Sequence, residues 1–281
     1  MMKIYIASEI VGAATLVYRR DSDMGGRETP YPRTVRSATD EVNAIINSAF
    51  RAGATYCLIN ECPGSGAFID PYDLPAGAEL LSGPFKPLSI VEGLDESFDA
   101  VILSAEHARA GTLNGYCSET YSNEIYDLRL NGKSLGEMGI IGMVAGAMDI
   151  PVVFVSGDEA ACEEARSTFG AAVRTVTTKY GRGRYACILR NPHQTLTEIA
   201  NTVEEAVKNA SGIPPLRFQK PYTLEIDTWN SYVAQWAANI NGVALANSRC
   251  IRFVSEDMWA VYKTFLTAIW MMMTVQSAAM W

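Results

Sequence analysis

The stretch that decides the fold runs from residue 100 to residue 169. It opens with AVILS at residues 100–104 and contains a second apolar run, PVVFVS, at residues 151–156. Between them lies GEMGIIGMVAGAM at residues 136–148, and EAACEEARSTF follows at residues 159–169. Short apolar runs predict buried strands, and the two longer segments predict a Gly-rich apolar helix and an amphipathic helix. This alternation indicates a mainly parallel sheet sandwiched by helices, which is an α/β fold.

The sequence before this stretch extends the same pattern. Residues 4–6 and 55–60 (TYCLIN) predict two more strands. Apolar residues recur at helical spacing between Ser37 and Arg51, so this segment predicts a helix that Ser37 caps. Residues 19–36 are rich in Arg, Gly and Pro and show no period, which indicates a long loop or lid.

The sequence after residue 212 has a different character. IPPLRFQKPY at residues 213–222 is typical of a connector, Thr223–Asp227 alternates as a strand does, and residues 257–281 are apolar and helical. We therefore predict an α/β domain over residues 1–212 that carries the active site, and a smaller C-terminal α+β domain over residues 213–281. Polar residues interrupt the last helix, which favours a core or subunit contact over a membrane span.

Composition excludes several classes of protein. The 281 residues carry 23 Lys and Arg against 31 Asp and Glu, so the net charge of −8 argues against nucleic acid as a partner. A hydrophobic fraction of 48% excludes a disordered chain. The start, MMKIYI, lacks the features of a signal peptide. Free thiols in a reducing cytoplasm are the expected state of the six scattered cysteines, Cys57, Cys62, Cys117, Cys162, Cys187 and Cys250.

Polar side chains follow the predicted strands, where sites of open α/β sheets form. Glu9 follows the first strand, Cys62 the second and Glu106-His107 the third, while Glu137 opens the Gly-rich helix. One imidazole and two carboxylates, from Glu9, His107 and Glu137, suit a Zn, Mn or Fe ion. Solvated loop carboxylates and a buried, hydrogen-bonded histidine would give the same pattern, so spacing alone leaves both interpretations open.

Other residues nearby offer acid, base or nucleophile chemistry. Glu106 and Glu119 are candidate general acids or bases. Cys62 and Cys117 are candidate nucleophiles if either lies close to His107, although a lone cysteine is more often inert.

Longer motifs resemble the M55 family of zinc-dependent D-aminopeptidases, of the type associated with dipeptide transport. One such segment is PAGAELLSGPFKPLSIVEGLDESFDAVILSAEHARAGT at residues 75–112, in which residues 80–112 are the most specific stretch. The likeness extends over MKIYIAS, AFRAGAT, LRLNGKSLGEMGIIGMVAG, IPVVFVSGDEAACEEA and TTKYGRGRYAC. It implies a ring-based homo-oligomer, a pentameric ring or decamer, acting on a small amide or peptide without a membrane partner.

The resemblance also implies a dinuclear zinc site, which this sequence retains in part. Glu9 stands at the bridging Asp, His107 and Glu137 match the family's third-motif His and helix Glu, and these three are the expected ligands of one ion. Val11 and Pro63 stand where the family has a Glu and a His, and neither can bind a cation. The resemblance therefore predicts at most one metal, Zn or else Mn or Fe, or none.

The family's catalytic His falls on Glu119, and Glu106 replaces a Tyr. Three outcomes follow. One metal survives and activates water with Glu119 or Glu106 as base; Cys62 or Cys117 with His107 carries out metal-independent acyl transfer that forms or cleaves an amide, ester or lactam; or the chain is an inactive homologue with a scaffold role. The first, a divergent amide hydrolase, is the one we expect.

Overall fold

Two sheets organise the chain, in a computed structural model that describes residues 1–17, 31–62 and 67–278. The strands are β1 (Met2–Ser8), β2 (Ala54–Glu61), β3 (Ala78–Leu81), β4 (Ala100–Glu106), β5 (Ile125–Leu130), β6 (Lys133–Ser134), β7 (Val152–Asp158), β8 (Arg174–Gly181), β9 (Cys187–Leu189), β10 (Tyr222–Thr228), β11 (Ala244–Asn247) and β12 (Cys250–Ser255). The helices are α1 (Tyr31–Arg51), α2 (Glu137–Ala147), α3 (Glu159–Phe169), α4 (Pro192–Lys208), α5 (Ser231–Ala237) and α6 (Met258–Ala278).

The first sheet has seven strands in the order β3-β2-β1-β4-β7-β8-β9. All neighbours run parallel except β9, which is antiparallel to β8. Successive residues of β1 point to opposite faces, so Ile4 and Ile6 pack with α1 and α4, while Tyr5 and Ala7 face α2 and the second sheet. The α/β fold predicted from the sequence is confirmed, because the sheet is mainly parallel, helices cover both of its faces, and β4 and β7 are buried along their whole length.

The second sheet is antiparallel, with the order β11-β12-β10-β5-β6. It joins β5 and β6, which precede residue 213, to three strands that follow it. The proposed division of the chain at residue 213 therefore stays a prediction, since this layer contains strands from both sides of that position.

Helix α6 packs over the second sheet. Within the described residues it is the one helix long and apolar enough to cross a membrane, and 44% of its apolar window is buried inside the protein. Val261, Phe265 and Ile269 are fully buried at helical spacing. This burial matches a core helix, which is one of the two roles, core or subunit contact, that the sequence predicts for this segment.

Helix α1 begins earlier than the sequence indicates. It starts at Tyr31, so the predicted loop over residues 19–36 is wrong for residues 31–36, and Ser37 lies inside the helix instead of capping it. Pro32 obscured this start, yet proline is well tolerated in the first turn of a helix. Arg36 then pairs with Asp40 one turn later at 2.7 Å. The remainder of the predicted loop, residues 19–30, lies outside the described residues.

Candidate functional site

The candidate site lies at the carboxyl ends of three neighbouring strands. Glu9 follows β1, Cys62 follows β2 and His107 follows β4, and β1 lies between the other two in the sheet. The backbone ties these ends together, since Glu9 N donates to Ser104 O at 2.9 Å and Cys62 N donates to Ser8 O at 2.8 Å. Helix α2 begins beside them with Glu137.

His107 and Glu137 are in direct contact. The imidazole Nε2 lies 3.3 Å from Glu137 Oε1; the His107 side chain is buried, and the Glu137 side chain is 12% exposed. Burial opposes the charged form of His107, but the neighbouring Glu137 carboxylate, with Glu9 and Glu119, raises its pKa well above the usual value. Burial likewise opposes the charge on Glu137, but His107 and the backbone N–H of Tyr121 lower its pKa. Without another cation, the pair is therefore an imidazolium and a carboxylate.

Two further carboxyl groups lie around this pair. Burial raises the pKa of Glu9 to about 7, with His107 acting in the opposite direction and Glu137 in the same direction. Burial also raises the pKa of Glu106 well above its usual value, and the charges of Glu9 and Glu137 add to the effect. Glu106 is 2% exposed and Glu9 is 8% exposed. Burial thus favours the neutral, protonated forms of both carboxyl groups.

Glu119 borders the site from the segment that follows His107. Its backbone N–H donates to Ala108 O at 3.1 Å, and its Oε2 lies 3.7 Å from a guanidinium nitrogen of Arg184. Arg184 is held there because its carbonyl accepts from Cys117 N at 2.7 Å and its guanidinium donates to Asn123 Oδ1 at 2.9 Å. The Glu119 carboxylate and the Arg184 guanidinium therefore lie together on the more exposed side of the site.

The two candidate thiols occupy different surroundings. Cys62 lies at the site, but burial and the charges of Glu106 and Glu9 raise the pKa of its thiol well above the usual value, against a weaker opposing effect of Lys86. A protonated thiol is a poor nucleophile. Cys117 is buried in an apolar cluster with Tyr116.

The positions that depart from the family motif differ in what the structure shows of them. Val11 is buried in the same apolar cluster, against Ile10 and Ala13, and carries no donor atom for a cation. Pro63, with the Gly-rich residues 64–66 after it, lies outside the described residues.

Comparison with known proteins places these residues in context. The profile of the M55 peptidase family, described as D-aminopeptidase, matches residues 2–267. The chain belongs to the M55 family. It is 30% identical over 266 residues to a D-aminopeptidase of Bacillus subtilis strain 168, a match that covers 94% of this chain and 96% of that protein.

A solved structure shows the same relationship in three dimensions. The Zn-dependent D-aminopeptidase DppA from Bacillus subtilis, described as a self-compartmentalizing protease, superposes with a TM-score of 0.92 at 29% identity. The superposition covers 97% of this chain and 98% of that one. The M55 resemblance that the motifs indicate is thereby confirmed.

That relative is Zn-dependent, and the spacing of two donor atoms in this chain is compatible with a zinc ion. Two atoms that each lie about 2.0–2.1 Å from a tetrahedral zinc are roughly 3.3 Å apart, which matches the 3.3 Å between His107 Nε2 and Glu137 Oε1. His107 Nδ1 lies 3.1 Å from Ala108 O, a contact that leaves Nε2 to face the carboxylates. Among the described residues, no three side chains are already spaced as a complete metal site. The donor chemistry of Glu9, His107 and Glu137 suits a metal ion.

Two residues support the site through contacts that no local sequence pattern indicates. Lys179 is fully buried and its Nζ donates to Val11 O and Leu16 O, each at 2.8 Å, which fixes the loop that carries Glu9. Glu164 on α3 accepts from the backbone N–H of Arg109 at 2.7 Å. Both residues lie in quoted motifs, TTKYGRGRYAC and IPVVFVSGDEAACEEA, but their partners are far away along the chain, so no local pattern reveals the contacts.

Proposed function

We propose that this chain hydrolyses an amide bond in a small amino-acid-derived amide or short peptide with a free amine, using at most one bound metal ion. The observation that carries the proposal is the buried group of Glu9, His107 and Glu137, whose donor atoms suit a single ion. Membership in the M55 family and the likeness to D-aminopeptidases support peptidase-like amide chemistry.

Glu9, His107 and Glu137 would hold the ion. When bound, such an ion polarises the amide carbonyl and makes water a better nucleophile. Glu119 borders the site on its more exposed side, and we assign it as the general base that accepts a proton from the attacking water. The raised pKa of Glu106 keeps a proton on that carboxyl, which is the form that can protonate the leaving amine.

Charge also favours a substrate with a free amine. Four carboxyl groups, from Glu9, Glu106, Glu119 and Glu137, act on one imidazole, as their mutual effects on pKa values show. An ammonium group that enters beside Glu9, whose pKa of about 7 lets it ionise near neutral pH, would be held near the metal position by that carboxylate. This is the electrostatic basis for acting at the amino end of a substrate.

The thiol-based alternative has less support. Burial and the neighbouring carboxylates raise the pKa of the Cys62 thiol, which favours its protonated form. Cys117 lies in an apolar cluster. An inactive scaffold makes no use of the buried acid and base, and turnover measurements would exclude it.

The proposal extends to assembly and location. The relative DppA is described as self-compartmentalizing, which supports a homo-oligomer; we further propose that it is a pentameric ring or decamer and that it lies in the cytoplasm. Sedimentation should give a mass about five or ten times the 30.6 kDa of one chain, and a monomeric mass would contradict this assembly.

Hydrolysis assays test the proposed reaction. D- and L-alanine p-nitroanilides and D- and L-alanyl dipeptides are incubated with the purified chain, before and after chelator treatment and with Zn²⁺ restored. We expect turnover of at least one probe, loss of that turnover with the chelator, and recovery with Zn²⁺. Glu119→Gln should reduce kcat about 10²- to 10⁴-fold. Absence of turnover on every probe with Zn²⁺ supplied would overturn the proposal.

A further inference from the structure

We propose that Glu164, on α3, is a positioning residue. It holds the segment that follows His107 against the residue that precedes Glu137, through contacts with the backbone of both. Its activity test rests on the proposed function, and its spectroscopic test does not.

The geometry of the Glu164 carboxylate links two segments of the site. Oε2 accepts a hydrogen bond at 2.7 Å from the backbone N–H of Arg109, two residues after His107. Oε1 makes no hydrogen bond within the described residues; it packs against Gly136, the residue directly before Glu137, where an added Cβ would be 2.5 Å from it. One carboxylate thus reaches the chain next to both members of the buried pair.

Gly136 permits this close approach. A Cβ at this position would also lie 2.8 Å from Arg109 Cβ and 3.2 Å from Arg109 Cα, so the two backbones meet with no room for a side chain. Gly136 is the N-cap of α2 and supplies no side-chain cap. The carboxylate of Glu164 therefore stands at the amino end of α2, where exposed N–H groups and the helix dipole favour a negative charge. Because Glu137 is the first residue of α2, fixing this end fixes Glu137.

Helix α3 is held to the same segment at a second point. Asp158 caps α3 through Oδ1, which accepts from Ala161 N at 2.9 Å, and its Oδ2 accepts from Tyr116 N at 2.7 Å. Asp158 and Glu164 thus join α3 to the segment after His107 at two places. With both contacts in place, α3 acts as a rigid support for the segment that follows His107. Loss of Glu164 releases that segment at its end nearest the His107–Glu137 pair.

The test compares Glu164→Ala, Glu164→Gln and the control Glu163→Gln, an exposed neighbour on the same helix. On the best probe substrate, we expect Glu164→Ala to lower kcat about 10- to 100-fold with KM changed less than about threefold, since misplacement of reacting groups by a fraction of an ångström has effects of this size. Glu164→Gln keeps one acceptor and should recover part of the loss. The control should match the unmodified chain.

Imidazole ¹⁵N NMR of the protein as purified gives the readout that needs no turnover. The chain has two histidines, so the His107 signals should shift or broaden in Glu164→Ala while those of His193 do not. Unchanged kcat together with unchanged His107 signals would overturn the inference. If the alanine variant does not fold, Glu164→Gln decides by the same two measurements. Absence of turnover in the unmodified chain would count against the proposed function, and the NMR comparison would still decide the role of Glu164.

Discussion

The imidazole Nε2 of His107 lies 3.3 Å from Oε1 of Glu137, although one residue follows β4 and the other begins α2. The backbone N–H of Tyr121 donates to the same carboxylate oxygen at 2.8 Å. Two donors thus converge on one oxygen in a buried position, which fixes the Glu137 carboxylate before any ion or substrate binds. Preorganisation of this kind is what a catalytic centre requires.

Replacing His107 should abolish both metal binding and turnover. We expect His107→Ala to lower kcat/KM at least about 10³-fold, because it removes the one nitrogen donor of the buried group. Its partner Glu137 would remain buried without the opposite charge. Steady-state kinetics and bound-metal analysis of the same samples measure the two effects.

His193 supplies the matched control, since it lies in the exposed first turn of α4. His193→Ala should keep both turnover and metal. Equal loss in the two histidine variants would show that the effect of His107→Ala is not specific to the site.

Removing the thiol of Cys62 should leave turnover within about threefold, because a protonated thiol contributes little as a nucleophile. The change Cys62→Ala also removes an apolar contact to the main core, so thermal unfolding is measured beside the kinetics. A loss of kcat beyond about 10²-fold in a fully folded Cys62→Ala protein would instead favour the acyl-transfer alternative.

Glu41 should make stability depend on pH. Burial raises its pKa to about 7, although Ala14 N, Lys179 and Ser37 act to lower it. The folded-state value lies above the unfolded one, so the stabilising contribution of the neutral form is complete below about pH 4.5 and is lost as pH rises through about 7. Relative to Glu41→Gln, the free energy of unfolding should fall by up to about 3 kcal/mol between pH 4.5 and pH 7.5.

Urea unfolding of the unmodified chain and of Glu41→Gln at several pH values measures this difference. Glu163→Gln, at an exposed position, gives the baseline for a surface carboxamide. Parallel stability curves for the unmodified chain and Glu41→Gln would show that Glu41 does not titrate in this range.

Shortening Phe265 should destabilise the protein strongly. The ring is fully buried and meets Tyr121 edge to face at 5.1 Å between centroids. Phe265→Ala should lower the free energy of unfolding by about 3–5 kcal/mol, because it leaves a cavity between α6 and the segment that supports Glu137. The comparison is Trp270→Ala, on the exposed side of the same helix, for which we expect a smaller loss. Equal losses of stability in the two variants would show that the core contact of α6 does not depend on Phe265.

Local patterns in the sequence predict four adjacent strands of the first sheet, β2-β1-β4-β7, but not β3, β8 or β9. Helix α3 spans Glu159–Phe169 as expected, and β4 and β7 contain most of the two apolar runs at residues 100–104 and 151–156. Buried parallel strands are continuous apolar runs, so their signal is local. The start of α1 was missed because Pro32 and the surrounding polar residues hide a first turn that tolerates them.

Contacts between distant segments could not be predicted in this way. The pairing of β10 with β5 joins segments far apart in sequence, and neither strand indicates its partner. For Glu9 and His107, the shared edge of neighbouring parallel strands made a common site one of two open interpretations, and the family resemblance supported Glu137 as a third member of it. Glu164 gave no such signal, since it reaches Arg109 across 55 residues from the middle of a helix.

The number of metal ions bound per chain tests the single-ion site most directly. Mass spectrometry of the purified protein, after exposure to excess Zn²⁺ and removal of unbound metal, should find about one tightly bound ion per chain, and Glu137→Ala should bind none. Two ions per chain, or one ion that survives Glu137→Ala, would contradict a single site built from Glu9, His107 and Glu137.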